Sequence, residues 1–227
     1  MQSYIETFRE ALARTDGLAG GMSNYPLQID PGLTIDMTVV VAAIAEDFAG
    51  FIPHTDLLPG GCFRIARDLS YILFNLGVRH TITVGDIELV DGRYVGLSLE
   101  NLMRDVAAGY QVDFVDGVPA GKPIEAHAWI TLENGMVIDA TILASQHRKC
   151  AYPTAPLPFE DAVFYTGKPN TPIIRHIPMM TGLVYHQKVL TSLMDGDLQI
   201  YCQWYEDYAK LMARLDLLRL VPVLTSR

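Results

Sequence analysis

The chain has 227 residues, of which 50% are hydrophobic, and a formal net charge of −9 from 17 basic and 26 acidic side chains. A chain of this length and composition can bury a sizeable core and is most simply a single domain spanning residues 1–227. The acidic balance and the lack of Lys or Arg runs argue against a nucleic-acid surface and an anionic-membrane patch. A small-molecule or protein substrate fits this charge better.

The sequence gives two indications of the cellular compartment. The first ten residues carry charges where a signal peptide needs an apolar stretch, and the longest apolar run, Met37 to Ala45, is too short to cross a bilayer. We therefore expect a soluble, cytoplasmic protein. Its cysteines, Cys62, Cys150 and Cys202, are odd in number and widely spaced, so we expect reduced thiols rather than a disulfide framework.

The N-terminal part of the chain is predicted to be helical. Apolar spacing indicates a short helix over residues 3–14, a Gly-rich break at 17–21, and a mostly buried helix over 34–48. A loop over residues 53–61 follows. It ends immediately before Cys62.

A buried central helix is predicted to begin at Cys62, because apolar residues recur at helical spacing as far as Leu76. Gly77 supplies the residue expected just past the end of such a helix. Two strands, Thr81–Leu89 and Arg93–Leu97, are predicted next, followed by a short helix over 101–108 that Ser98 caps.

Residues 126–142 predict a β-hairpin whose turn is either Asn134-Gly135 or the three-residue loop Glu133-Asn134-Gly135. A one-residue change of register moves every side chain to the opposite face, so burial selects the register with one wholly apolar face. The three-residue loop provides such a face, formed by Ala126, Ala128, Ile130, Leu132, Met136, Ile138, Ala140 and Ile142. His127 and Asp139 then share the other face as diagonal neighbours, and Asp139 lies opposite Trp129.

The C-terminal third is predicted to differ from a catalytic core at about residues 34–145. Six prolines between residues 153 and 178 interrupt the periodicity, and we expect a Pro-rich surface excursion over 146–180. A helical segment is predicted over about 185–227, with its strongest helix from Leu198 to about Leu220.

Three residues in this pattern point to nucleophilic chemistry. Cys62 at a helix N-terminus meets free backbone N–H groups that stabilise a thiolate and can also bind an oxyanion. Gly60 and Gly61 let a substrate approach the backbone closely. His127 would be the base that takes the thiol proton, and Asp139 would orient it. Each residue alone is more often structural, and it is their conjunction that favours a catalytic triad.

Other residues are weaker candidates for a functional role. Trp129 shares the His127 face, where it either lines a substrate cleft and shields the histidine–aspartate bond or simply packs. The segment 147–150 holds two metal-ligand types but is better explained as a polar loop. His54 fits a surface loop, and the sequence suggests no partner for His176 or His186.

The sequence segments around Cys62, His127 and Asp139 resemble the transglutaminase-like superfamily of papain-like fold. The resemblance covers about residues 55–145 and is carried by Gly60-Gly61-Cys62, Leu73-Phe74-Asn75-Leu76-Gly77-Val78, Ala126-His127-Ala128-Trp129-Ile130 and Val137-Ile138-Asp139-Ala140-Thr141. It implies Cys62 as nucleophile, His127 as general base and acid, and Asp139 as the orienting acid. Members of the superfamily act as proteases, amidases, deamidases or acyl transferases through a thioester. The chain is similar, more weakly, to arylamine N-acetyltransferases, which have a Gly-Gly pair shortly before their cysteine.

The sequence therefore predicts an α+β fold in which the cysteine-bearing helix packs on an antiparallel sheet, with flanking N- and C-terminal helices. The expected activity is hydrolysis or acyl transfer at a peptide, protein side chain or small amide, with no metal or redox cofactor implied. The alternative from another class is a catalytically silent module that binds a protein partner through its Pro-rich segment and C-terminal helix. Substrate identity and oligomeric state are not indicated.

Overall fold

The computed structural model describes residues 3–19, 28–49, 55–109, 113–115, 118–120, 125–149 and 157–190, together with positions 203, 206, 207 and 210. Within these residues the chain has the predicted mixed α+β architecture, with helices packed against an antiparallel sheet. No helix in the described ranges combines the length and the apolar character needed to span a membrane.

The helices are α1 (Tyr4–Ala19), α2 (Met37–Ala49), α3 (Cys62–Asn75), α4 (Leu99–Ala108), α5 (Ile142–Lys149) and α6 (Phe159–Ala162). A 3-10 turn precedes α3 at Thr55–Leu57, and a π-helical turn lies at His186–Leu190. Residues 147–149 are therefore the last turn of α5, and the polar loop predicted there is wrong. His54, Cys150 and Cys202 lie outside the described residues.

The strands are β1 (His80–Leu89), β2 (Gly92–Arg93), β3 (Asp113–Val115), β4 (Val118–Ala120), β5 (His127–Leu132), β6 (Val137–Asp139), β7 (Phe164–Tyr165) and β8 (Ile173–Thr181). In the described part of the chain, one six-stranded sheet runs in the order β2-β1-β5-β6-β7, and β8 also pairs with β1. β3 and β4 form a separate pair.

The hairpin of β5 and β6 has the predicted register. Ile130 pairs with Ile138 and Thr131 with Val137, while the Leu132 N–H donates to the Met136 carbonyl at 2.8 Å across a three-residue loop. Gly135 takes the positive φ of 82° that this loop requires. The prediction that Ile142 belongs to the apolar face is wrong. Ile142 begins α5 and packs with Trp129 on the other side of the sheet.

The core lies between α3 and the sheet. The buried face of α3, which includes Leu69 and Leu73, packs against β1 and β5 in one apolar cluster. A buried polar contact also joins α3 to β1, since the Ser70 hydroxyl lies 2.7 Å from His80 Nε2. Gly77 ends the helix with a φ of 68°, as predicted.

The predicted strand Arg93–Leu97 is wrong beyond its first residue. β2 ends at Arg93 because the buried Asp86 carboxylate accepts the backbone N–H groups of Val95 (3.1 Å) and Leu97 (2.9 Å), which are then unavailable for a strand ladder. Ser98 does cap the following helix, accepting the Asn101 N–H at 3.1 Å.

The predicted Pro-rich surface excursion over 146–180 is wrong at three places: residues 146–149 belong to α5, residues 159–165 carry α6 and β7, and residues 173–181 form β8. This strand pairs with β1 from Thr83 to Leu89, and Pro178 is accommodated beside a register shift at Gly85. α1 packs on β8, where Thr15 accepts the Thr181 N–H at 3.0 Å. That packing carries α1 past its predicted end and through Gly17. The predicted helix from Leu198 to Leu220 lies outside the described residues except at positions 203, 206, 207 and 210, which are helical.

Candidate active site

Cys62 is the first residue of α3, as predicted, and its thiol is free and partly exposed. The first intrahelical hydrogen bond runs from the Ile65 N–H to the Gly61 carbonyl at 2.8 Å. The N–H groups of Cys62, Phe63 and Arg64 therefore precede the helical ladder, and no side chain of the N-cap residue Gly61 covers them. This arrangement can stabilise a thiolate and a developing oxyanion.

The two glycines before Cys62 have different roles. Gly60 has a φ of 83°, and a Cβ placed on it would meet no atom within 4 Å, so its backbone borders open space. The Gly61 N–H donates to the Leu58 carbonyl at 3.1 Å. The backbone of Gly60 thus borders open space close to Cys62, whereas the Gly61 N–H is already occupied by the turn.

His127 and Asp139 meet across the hairpin. His127 opens β5, Asp139 closes β6, and His127 Nε2 donates to Asp139 Oδ2 at 2.7 Å. Both side chains are 1% exposed. The side chain of Cys62 is in hydrogen-bonding contact with His127. Since Nε2 is engaged by Asp139, Nδ1 is the nitrogen that remains for the thiol.

The charges of this group support one another. Burial alone lowers the pKa of His127, but the negative charges of Asp139 and Cys62 outweigh burial and hold that pKa well above its ordinary value. Burial alone raises the pKa of Asp139, but the charge and hydrogen bond of His127, together with His176, hold it well below its usual range. The site therefore favours an imidazolium beside an ionised carboxylate.

The second oxygen of Asp139 is fixed by the start of α5. Oδ1 accepts the backbone N–H groups of Thr141 (3.0 Å) and Ile142 (3.1 Å) and the Thr141 hydroxyl (3.2 Å). These contacts satisfy N–H groups that lie ahead of the helical ladder of α5. The carboxylate is thereby held in one orientation by the backbone as well as by His127.

His176 is a member of this group that the sequence did not reveal. It lies on β8, 5% exposed, with Nε2 at 3.2 Å from Asp139 Oδ2, the oxygen that His127 also uses. Its ring packs edge-on against Trp129 at 4.9 Å and lies tilted against Phe164 at 5.0 Å. Burial lowers the pKa of His176, and His127 lowers it further, although Asp139 opposes both. The β-branched residues Ile173, Ile174 and Ile177 around His176 were the available strand signal, but Pro172 and Pro178 obscured it.

Trp129 forms an aromatic partition behind the histidines. It is 1% exposed and lies 6.1 Å from the His127 ring, with 26° between their planes. Its Nε1 donates to the Tyr4 hydroxyl at 2.9 Å, and that hydroxyl lies 2.6 Å from Thr131 Oγ1. This burial fits shielding of the His127–Asp139 bond and leaves almost no ring surface for a substrate.

Tyr94 is a second residue at the site that sequence reasoning missed. Its ring meets His127 edge-on at 5.2 Å, and Lys149 Nζ lies 4.9 Å from the centre of the same ring. The segment that carries Tyr94 is held by Asp86, which accepts the N–H of the next residue, Val95. Tyr94 therefore helps to exclude water from His127.

The start of α3 is also packed from the side of residues 185 and 186. The Phe63 ring stacks on Tyr185 at 5.5 Å and meets His186 edge-on at 5.2 Å. Burial and the positive charge of Arg67 lower the pKa of His186 to about 4, although the Phe63 backbone partly opposes this. His186 is thus held neutral beside the cysteine helix.

The residues that the sequence proposed for catalysis are therefore adjacent. Cys62, His127 and Asp139 form one chain of contacts, although they come from α3, β5 and β6. In the described ranges, no group of three or more His, Cys, Asp or Glu side chains is arranged to hold a metal ion. Comparisons of this chain with models of protein families, with curated proteins and with solved structures find no match.

Proposed function

We propose that this protein catalyses thiol-dependent hydrolysis or acyl transfer at an amide or peptide carbonyl, on a core of papain-like, transglutaminase-like type. The observation that carries the proposal is the position of the His127 imidazole, which contacts Cys62 on one side and donates to Asp139 at 2.7 Å on the other. A cysteine nucleophile needs a base beside it and a group that orients that base.

The first half-reaction begins with the proton of the Cys62 thiol on His127. The raised pKa of His127 favours the imidazolium that forms when it takes this proton, and the sulfur then attacks as a thiolate. A bond forms between Sγ and the carbonyl carbon, and the N–H groups at the start of α3 stabilise the oxyanion. His127 then gives its proton to the leaving amine as the C–N bond breaks, which leaves a thioester.

The second half-reaction reverses these roles. His127 removes a proton from water or from an amine, and that nucleophile displaces the Cys62 thiolate from the thioester. Water gives hydrolysis, whereas an amine gives acyl transfer. The open backbone at Gly60 is where the acyl group would approach.

Alkylation of Cys62 by iodoacetamide tests the activated nucleophile without a known substrate. At pH 6 an ordinary thiol is well under about 1% ionised, and we expect Cys62 to react at least about tenfold faster than such a thiol. Mass spectrometry of the peptide that contains Cys62 separates this reaction from those of Cys150 and Cys202.

The matched variants are His127→Ala, which should remove the rate advantage, and His80→Gln, which alters a buried histidine away from the triad and should keep it. A Cys62 rate equal to that of a free thiol, or one unchanged by His127→Ala, contradicts the proposal. Incubation with peptide libraries, with and without added amines, then distinguishes hydrolysis from transfer by the products. Cys62→Ser is the blank for both.

A further inference from the structure

We infer that His176 is a positioning residue for the Cys62–His127 pair, which sets how tightly His127 holds its proton by donating to the same oxygen of Asp139. The inference rests on the proposed function for its catalytic meaning. Its geometry stands independently. His176 Nε2 lies 3.2 Å from Oδ2, and His127 Nε2 lies 2.7 Å from that atom.

Donor and acceptor roles fix the state of His176. A carboxylate only accepts, so His176 Nε2 must carry a proton to bond with Oδ2. The ring is buried between Trp129 and Phe164 and lies near the positive charge of His127, so a second charge there is unfavourable. His176 therefore acts as a neutral Nε2–H donor.

The effect of this donor is electronic, because the carboxylate is already held in place. Oδ1 of Asp139 is fixed by two backbone N–H groups and the Thr141 hydroxyl. The carboxylate therefore cannot rotate freely when His176 is lost. What changes is the negative charge on Oδ2. With one donor fewer, that oxygen attracts the His127 proton more strongly.

The other groups around His127 do not duplicate this role. Three titratable side chains contact His127 directly: Cys62 of α3, Asp139 of β6, and Tyr94, which follows β2. His176 of β8 reaches it through Asp139. Lys149 of α5 lies against Tyr94. Within this set, His176 shares the Oδ2 atom with His127. It is therefore the residue whose loss changes the acid without removing it.

The test is a pH titration of the His127 imidazole in two variants, monitored by NMR of isotope-labelled histidine. His176→Met removes the donor at similar volume, and we expect the titration midpoint of His127 to rise by about half to one pH unit, a three- to tenfold gain in proton affinity. His176→Gln keeps an N–H donor and should restore the wild-type midpoint. His80→Gln, the matched control, should shift nothing.

A midpoint that is unchanged or lower in His176→Met overturns the inference. If that variant does not fold, the wild-type spectrum decides, because His176 must be the neutral Nε2–H tautomer. Finding it as the Nδ1–H tautomer or as a cation at neutral pH overturns the inference equally. None of these readouts requires turnover, so absence of acyl chemistry would contradict the proposed function while leaving the His176 result to stand or fall separately.

Discussion

Two buried carboxylates show how similar groups serve different ends in this molecule. Asp86 is 0% exposed and Asp139 is 1% exposed. Asp86 gives both oxygens to backbone N–H groups, those of Ile87, Val95 and Leu97. Asp139 gives one oxygen to the start of α5 and the other to two histidines. Burial of an acid is therefore common to both, and the partners of the second oxygen separate a loop anchor from a candidate catalytic acid.

The strongest way to break this comparison is the pair Asp139→Asn and Asp86→Asn. An amide at 139 would donate to His127 Nε2 and place the ring proton on Nδ1, the nitrogen that must accept from Cys62. We expect alkylation of Cys62 at pH 6 to fall by about a hundredfold in Asp139→Asn. Asp86→Asn should lower stability and keep the rate per folded molecule within about threefold. Equal losses in the two variants would contradict the distinction.

Substitution of Gly85 tests how tightly β1, which carries Asp86, packs against β8, which carries His176. Gly85 precedes Asp86 in β1 and pairs with His127, and a Cβ on it would lie 2.0 Å from the Ile177 carbonyl oxygen and 3.0 Å from the Trp129 ring. Gly85→Ala should therefore lower the free energy of unfolding by about 2–4 kcal/mol, measured by urea denaturation.

The matched control is Gly17→Ala in α1, where the added methyl meets nothing within 4 Å. Alanine is the better helix former, so this variant should gain about 0.5–1 kcal/mol. A Gly85→Ala protein as stable as the wild type would mean that β1 and β8 separate there at little cost.

The pH dependence of stability is a further test, because the pKa shifts of Asp139 and His127 have opposite signs. The lowered pKa of Asp139 gives stability that is present above the ordinary carboxyl pKa near 4 and lost as the pH falls toward the folded value. The raised pKa of His127 gives stability that is present below the ordinary imidazole pKa and lost as the pH rises through the folded value. Both contributions are therefore complete between about pH 4 and 6.5.

Below pH 4, wild type should lose on the order of 2 kcal/mol more unfolding free energy than Asp139→Asn, which has no carboxyl to protonate. Denaturation at several pH values measures the difference. Parallel stability curves for wild type and Asp139→Asn would show that folding does not shift the pKa of Asp139, which contradicts the lowered pKa.

The part of the site that the sequence predicted depends on local patterns. The hairpin register followed from burial, because the three-residue loop puts Ala128, Ile130 and Ile138 on one face and leaves His127 and Asp139 on the other. The position of Cys62 followed from helical spacing that ends at Gly77. Both patterns lie within short stretches of chain, where alternation and helix signals are direct.

The missed residues depend on pairing between distant segments. His176 reaches Asp139 only because β8 pairs with β1, and prolines at 172 and 178 hid that strand. Tyr94 reaches His127 because Asp86 withdraws backbone N–H groups from a predicted strand and folds the segment back. Neither long-range pairing nor capture of N–H groups by a buried acid leaves a periodic trace in sequence.

We expect the β1–β8 pairing to form later in folding than the hairpin of β5 and β6. His127 and Asp139 are separated by 12 positions along the chain and join within a hairpin, whereas His176 and Asp139 are separated by 37 and β8 must close a much longer loop onto β1. Contacts between near neighbours in sequence form at lower entropic cost. During synthesis, the histidine–aspartate pair can therefore form before β8 has left the ribosome. If His176 acts as inferred above, the proton affinity of His127 falls to its final value only when β8 pairs with β1.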